Sequence, residues 1–142
     1  MSFKKQFAAD LEATKNGKEL FIGKTSKDEP ITFTVASMDN GNLEYQRARD
    51  NMNRNLAEKY ENPSDAPLEV QKEEQLKIVC KHVIKGWSNV KDDEGNNIPF
   101  TEEAVYEMLS DPALYRVYDK VLAAALDNSR FDKKAMDKAL GN

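Results

Sequence analysis

The row Leu76, Val79, Cys80, Val83, Ile84 and Trp87 constrains this chain most, because it follows the spacing i, i+3, i+4, i+7, i+8, i+11. Apolar residues at that period lie along one side of an α-helix. Such a face is stable only when other elements cover it, so the chain has to build a helical body around it. Gly86 then permits the chain to leave the helix.

Other helical faces stand ready to cover this one. Tyr45, Ala48, Met52, Leu56 and Tyr60 form one stripe, with Arg47, Asp50, Arg54 and Glu58 around it. Pro63 breaks that helix, and the next is expected to restart near Ser64 or Asp65, with Pro67 in its first turn. Thr101 is an N-cap with Glu102 and Glu103 in the first turn, where unpaired N–H groups favour negative charge. Phe100 before the cap and Val105 after it suit a hydrophobic staple. Asp111-Pro112 opens a further helix, with Leu114, Tyr115, Tyr118, Val121, Leu122 and Ala125 as its expected buried face. Ser129-x-x-Asp132 is expected to cap a last helix carrying Phe131, Met136 and Leu140.

Only the N-terminal third departs from this pattern. Ile31 to Val35 alternates apolar residues with threonine, and Leu20-Phe21-Ile22 is a short apolar run, so both read as strands of a hairpin. Before them, Phe3, Phe7, Ala8 and Leu11 have helical spacing and Gly17 is a natural stop. Asn16-Gly17 also suits a hairpin turn, and the helix is the favoured reading. The predicted fold class is α+β, mostly α: a small N-terminal β-hairpin followed by a compact bundle of about four to five helices. Residues 1–142 are read as a single domain, with a helix/hairpin region over 1–41 and the helical body over 42–142.

Composition excludes several functions. With 21 Lys+Arg against 25 Asp+Glu, the net charge of −4 is wrong for a general nucleic-acid coat. The basic cluster Arg47, Arg49, Arg54 and Lys59 is interspersed with Glu44, Asp50 and Glu58, so nucleic acid is an unfavoured partner. No apolar run reaches the roughly 20 residues of a membrane span. Lys4 and Lys5 precede no apolar stretch, so no secretory signal is read. The single cysteine fits a reducing cytoplasm.

Catalytic constellations are also missing. Cys80 and His82, two apart on a helix, point to different faces; Cys80 is read as inert packing and His82 as a solvated side chain. No zinc ligand set is present. Asp92-Asp93-Glu94-Gly95 resembles a calcium loop, but aligning Gly95 with its glycine puts Val90 and Thr101 where liganding oxygens and a bidentate Glu are needed. No phosphate loop occurs among the six glycines. The chain is therefore read as a non-enzyme with no catalytic, metal or cofactor residues.

The most distinctive stretch runs from Gly86 to Thr101: an aromatic, a polar turn with Gly95, then Ile98-Pro99-Phe100 leading into a capped helix. Trp87 and Phe100 would bracket the loop and close its ends over apolar surface. Through Trp87, Val90, Asp93, Gly95, Ile98, Phe100, Thr101 and Glu102, the stretch Leu76 to Leu122 resembles the tail assembly chaperones of long-tailed bacteriophages and prophages. The resemblance implies binding of the long helical tape measure protein, with the tail tube protein as a second partner and self-association between neighbours. It also implies action in the host bacterial cytoplasm, absence from the mature virion and, in many members, a longer product made by ribosomal frameshifting. Candidate partner-binding residues are Trp87, Phe100, Tyr115, Tyr118, Leu122, Phe131, Met136 and Leu140. The alternatives are a structural tail or head–tail joining protein of the virion, or a small nucleic-acid-binding regulatory module.

Overall fold

Ile31, Phe33 and Val35 alternate with Thr32 and Thr34, and this two-residue period fixes which face of the sheet is buried. In the computed structural model, which describes residues 2–133, they lie on the central strand of an antiparallel sheet ordered β1-β2-β3. The strands are β1 (Lys18–Lys24), β2 (Pro30–Val35) and β3 (Ile84–Ser88). Leu20, Phe33 and Trp87 pair across all three and face the core. The flanking row Phe21, Thr32 and Ser88 occupies the opposite face, where Phe21 is exposed.

The third strand corrects the sequence reading. Helix α4 (Leu68–His82) stops at His82, and Val83, Ile84 and Trp87 do not continue it. Val83 is the last helical residue in backbone angle; its N–H bonds back to the Val79 carbonyl while its own carbonyl accepts from Ala36. Adjacent β-branched residues prefer extended backbone, and β2 offers an unpaired edge that β3 completes. The helical spacing of the apolar residues beyond His82 is therefore coincidental. Trp87 sits on a strand, and this departs from the helix-to-Trp junction of the tail-chaperone pattern.

The remaining helices follow their local signals more closely. The N-terminal segment is helical, as two short pieces, α1 (Phe3–Phe7) and α2 (Leu11–Asn16). Gly17 ends α2 at φ 97°, and a Cβ there would come within 2.8 Å of Thr34 Cγ2. Helix α3 (Leu43–Tyr60) buries Tyr45 and Leu56. A 3-10 turn at Pro63–Asp65 precedes α4, so the helix starts three or four residues later than expected, after Pro67. Helix α5 (Glu102–Leu109) is capped by Thr101, whose hydroxyl accepts from Ala104 N–H at 3.0 Å. Asp111 caps the Pro112–Leu114 turn before α6 (Tyr115–Leu126).

Two further expectations fail. Tyr115 is 55% exposed, not part of the buried face of α6. Ser129 opens no helix: its hydroxyl donates to Asp127 at 2.6 Å, and Asp127 caps a 3-10 turn over Asn128–Phe131. Met136 and Leu140 lie outside the described residues.

One core unites the sheet with the helices. Phe33, Val35, Val79, Val83, Ile84, Val105, Val121 and Ala125 are at most 2% exposed and belong to a single cluster. Asn42 ties the layers together from inside. Its Nδ2 donates to the carbonyls of Ser37 (2.9 Å) and His82 (3.2 Å), and its Oδ1 caps α3 through Tyr45 N–H. Completely buried, it satisfies groups from three segments at once.

Candidate interaction surface

Helix α4 packs between α3 and α5, which leaves a groove on either side of it. On one side, α4, α5 and α6 converge around an open groove of about 540 Å³. Its apolar lining comes from Leu76 on α4, Tyr106 and Leu109 on α5, and Tyr115, Tyr118 and Leu122 on α6. The helical period explains the convergence, since residues three and four apart share a face. Tyr115, Tyr118 and Leu122 are spaced i, i+3, i+7, while Tyr106 and Leu109 are spaced i, i+3.

Polar contacts hold the walls in place. The Tyr106 hydroxyl donates to Glu73 Oε1 at 3.1 Å, linking α5 to α4. That hydrogen bond to a carboxylate, more than any burial, raises the Tyr106 pKa above its ordinary value. Tyr118 lines the groove, whereas its hydroxyl is buried without a hydrogen-bond partner among the described residues. Burial is the main cause pushing its pKa upward, so it stays a neutral phenol.

Of the expected partner-binding residues, the structure brings Tyr115, Tyr118 and Leu122 together. Trp87 and Phe100 are not among the residues lining this groove. Their rings meet edge-to-face at 5.4 Å, Trp87 also packs on Phe33 at 5.7 Å, and Trp87 Nε1 donates to the Ile98 carbonyl at 2.8 Å. They clasp the Asn89–Thr101 loop shut, as the bracket reading anticipates. Phe131 is only 3% exposed, with its carbonyl accepting from Asp10 N–H, and is corrected from contact residue to core. Leu76, Tyr106 and Leu109 were missed as groove residues. The Tyr106/Leu109 spacing was the available signal, but nothing local says that α5 and α6 leave a gap.

The groove on the other side of α4, about 790 Å³, is larger but differently lined. Charged side chains of both signs, including Arg47, Lys81 and Glu44, outnumber its apolar contributors Ala48, Met52 and Ile78. His82 lies there, half-buried and not freely solvated, with Nδ1 3.8 Å from Glu44. Burial is the largest cause lowering its pKa, and Lys85 adds to it. The tyrosines of the Arg-bearing helix lie under basic side chains. Tyr45 is 6% exposed with Arg49 over its ring, and Lys59 covers Tyr60.

Other chemistry-bearing residues are occupied structurally. Cys80 is 2% exposed, and burial pushes its thiol up to about 12, which keeps it protonated and inert. Asp92 Oδ1 accepts from the N–H groups of Glu94 and Asn96, so the acidic turn closes on itself around Gly95 at φ 84°. No helix among the described residues is long and apolar enough to cross a membrane.

These features define a small, mostly helical α+β protein with a largely apolar groove between helices α4, α5 and α6. A family model described as YdaY prophage protein matches residues 38–142, and the chain belongs to that prophage family. The match begins after β2 and takes in all of α3 to α6, including both walls of the groove. Neither comparison with curated proteins nor comparison with solved structures yields a match.

Proposed function

We propose that this protein is a tail assembly chaperone, acting by stoichiometric binding and not by catalysis, that holds helical segments of the tape measure protein in the host cytoplasm. The open groove formed by Leu76, Tyr106, Leu109, Tyr115, Tyr118 and Leu122 carries the reading. Membership in a prophage family and the loop-to-cap pattern of residues from Val90 to Glu102 support it. A long helical protein with apolar stripes aggregates unless they are covered. An apolar groove between helices accepts one face of an amphipathic helix through anchors at i, i+3, i+4 and i+7. Many such contacts along one target gain strength from multivalency even when each is modest. The chain's high charge, 32% of its residues, keeps such a complex in solution. Tail tube subunits and neighbouring copies are the further partners in this reading.

The test is co-expression of the tape measure protein of the same prophage with and without this protein. The expected result is tape measure in the soluble fraction only when this protein is present, and recovery of the two together. Mass spectrometry of purified virions should find the tape measure and not this protein. Stoichiometric presence in particles would instead favour a joining protein of the tail, and insoluble tape measure in both conditions would overturn the proposal.

A further inference from the structure

The charges around the groove are unequal. Its rim carries Glu73, Asp111 and Asp119 against Lys72. Beyond Tyr106, which lines both, a second recess of about 580 Å³ adds Glu102, Glu103 and Glu107 against Lys77. Six carboxylates therefore stand against two lysines, or three cations when Arg116, held over the Tyr115 ring, is included. The whole chain is far closer to balance, at 25 acids to 21 bases.

The walls also limit the kind of occupant. Leu76, Tyr106, Leu109, Tyr115, Tyr118 and Leu122 all belong to helices, whose interior backbone groups are paired within their own helices. An extended peptide would find no strand edge to pair with here. A helix needs no such edge, because its side-chain ridge packs between those of α5 and α6.

We infer that the α4–α5–α6 groove takes an amphipathic helix of a partner protein, with an apolar stripe on the groove and Lys or Arg on the flanks facing the acidic rim. This rests on reading the groove as a partner site and adds the partner's charge. Charge complementarity of this kind governs choice of partner and encounter rate more than total affinity.

The test uses two fluorescent synthetic helical peptides with the same leucine stripe, one flanked by Lys and one by Glu, titrated with the intact protein. The surplus of rim carboxylates, six against two lysines, at a few tenths of a kcal/mol each predicts that the Lys-flanked peptide binds about tenfold tighter at low salt. That preference should collapse at about 1 M salt, where the screening length is roughly 3 Å. The pair Glu107→Lys and Asp119→Lys changes exposed residues, leaves the rim close to charge balance and should abolish the preference, with circular dichroism confirming the fold. Tyr115→Ser should weaken binding of both peptides.

Equal binding of the two peptides, or a preference that the charge reversal leaves in place, overturns the inference. So does a dimer of this chain that neither peptide displaces, which would assign the groove to a second copy. Tape measure solubilised by the protein in the absence of any charge preference would sink this inference alone and leave the chaperone proposal standing. A clear preference without tape measure binding would do the reverse.

Discussion

Replacing Trp87 by leucine removes three contacts at once. The indole donates to the Ile98 carbonyl at 2.8 Å, a bond worth about 1 kcal/mol net. It also pairs with Phe33 and, edge-to-face, with Phe100, each pair adding about 0.5–1.5 kcal/mol beyond burial. Trp87 is only half-buried, so the area lost is small, and the two ring contacts share one indole. The expected loss is about 3 kcal/mol. With a urea m-value of roughly 1.5–2 kcal/mol/M, the unfolding midpoint should fall by about 1.5–2 M. Far-UV circular dichroism is the suitable probe, because Trp87 is the single tryptophan and the tryptophan fluorescence is lost with it. Phe100→Leu and the double variant complete a cycle whose coupling should be about 0.5–1.5 kcal/mol. A midpoint unchanged within error, or coupling near zero, would refute the idea that these rings clasp the loop ahead of α5.

Asn42→Ala removes the α3 cap and strands the buried carbonyls of Ser37 and His82; about 2–4 kcal/mol of stability should go, read from the same denaturation curves. Cys80, buried and with its thiol raised to about 12, should react with a thiol reagent only as fast as the protein opens, and prompt labelling of native protein would contradict its placement. His82 has its pKa lowered below 6.5, chiefly by burial, so the unfolded chain takes up the proton first as pH falls. Its contribution is complete above about pH 6.5 and is lost as pH drops through the folded value. His82→Gln should therefore flatten the decline in urea midpoint on acidification, and parallel declines in variant and wild type would remove His82 as the cause. Gly17→Ala should cost more than about 1 kcal/mol, since φ is 97° and the added Cβ meets Thr34; an unchanged thermal midpoint would disprove that strain.

About half of the groove lining was legible in advance. Tyr115, Tyr118 and Leu122 were legible because they lie on one helical stripe, a pattern that a single segment contains. Whether such a stripe is core or contact depends on neighbours: Val121 on the same helix is fully buried while Tyr115 stands more than half exposed. Phe131 shows the opposite outcome, a large aromatic near the end of the described chain that α2 and its neighbours enclose. The missing half, Leu76, Tyr106 and Leu109, comes from two other helices. Only the angle at which α4, α5 and α6 meet makes them face the same gap.

The same division runs through the fold. Caps and turns were readable because their partners lie within a few residues: Thr101 with Ala104, Asp111 with Ala113, Gly17 with the end of α2. The alternation in β2 likewise carried its own answer. The end of α4 did not, because apolar residues from Val83 to Trp87 satisfy a helical period and a strand equally well. Long-range pairing with Val35, Thr34, Phe33 and Thr32 decided for the strand. The sequence alone determined a helical, acidic body with its local starts and stops, whereas the third strand and the groove required distant segments to meet, since hydrogen-bond register and uncovered apolar area are properties of pairs of elements and not of any one of them.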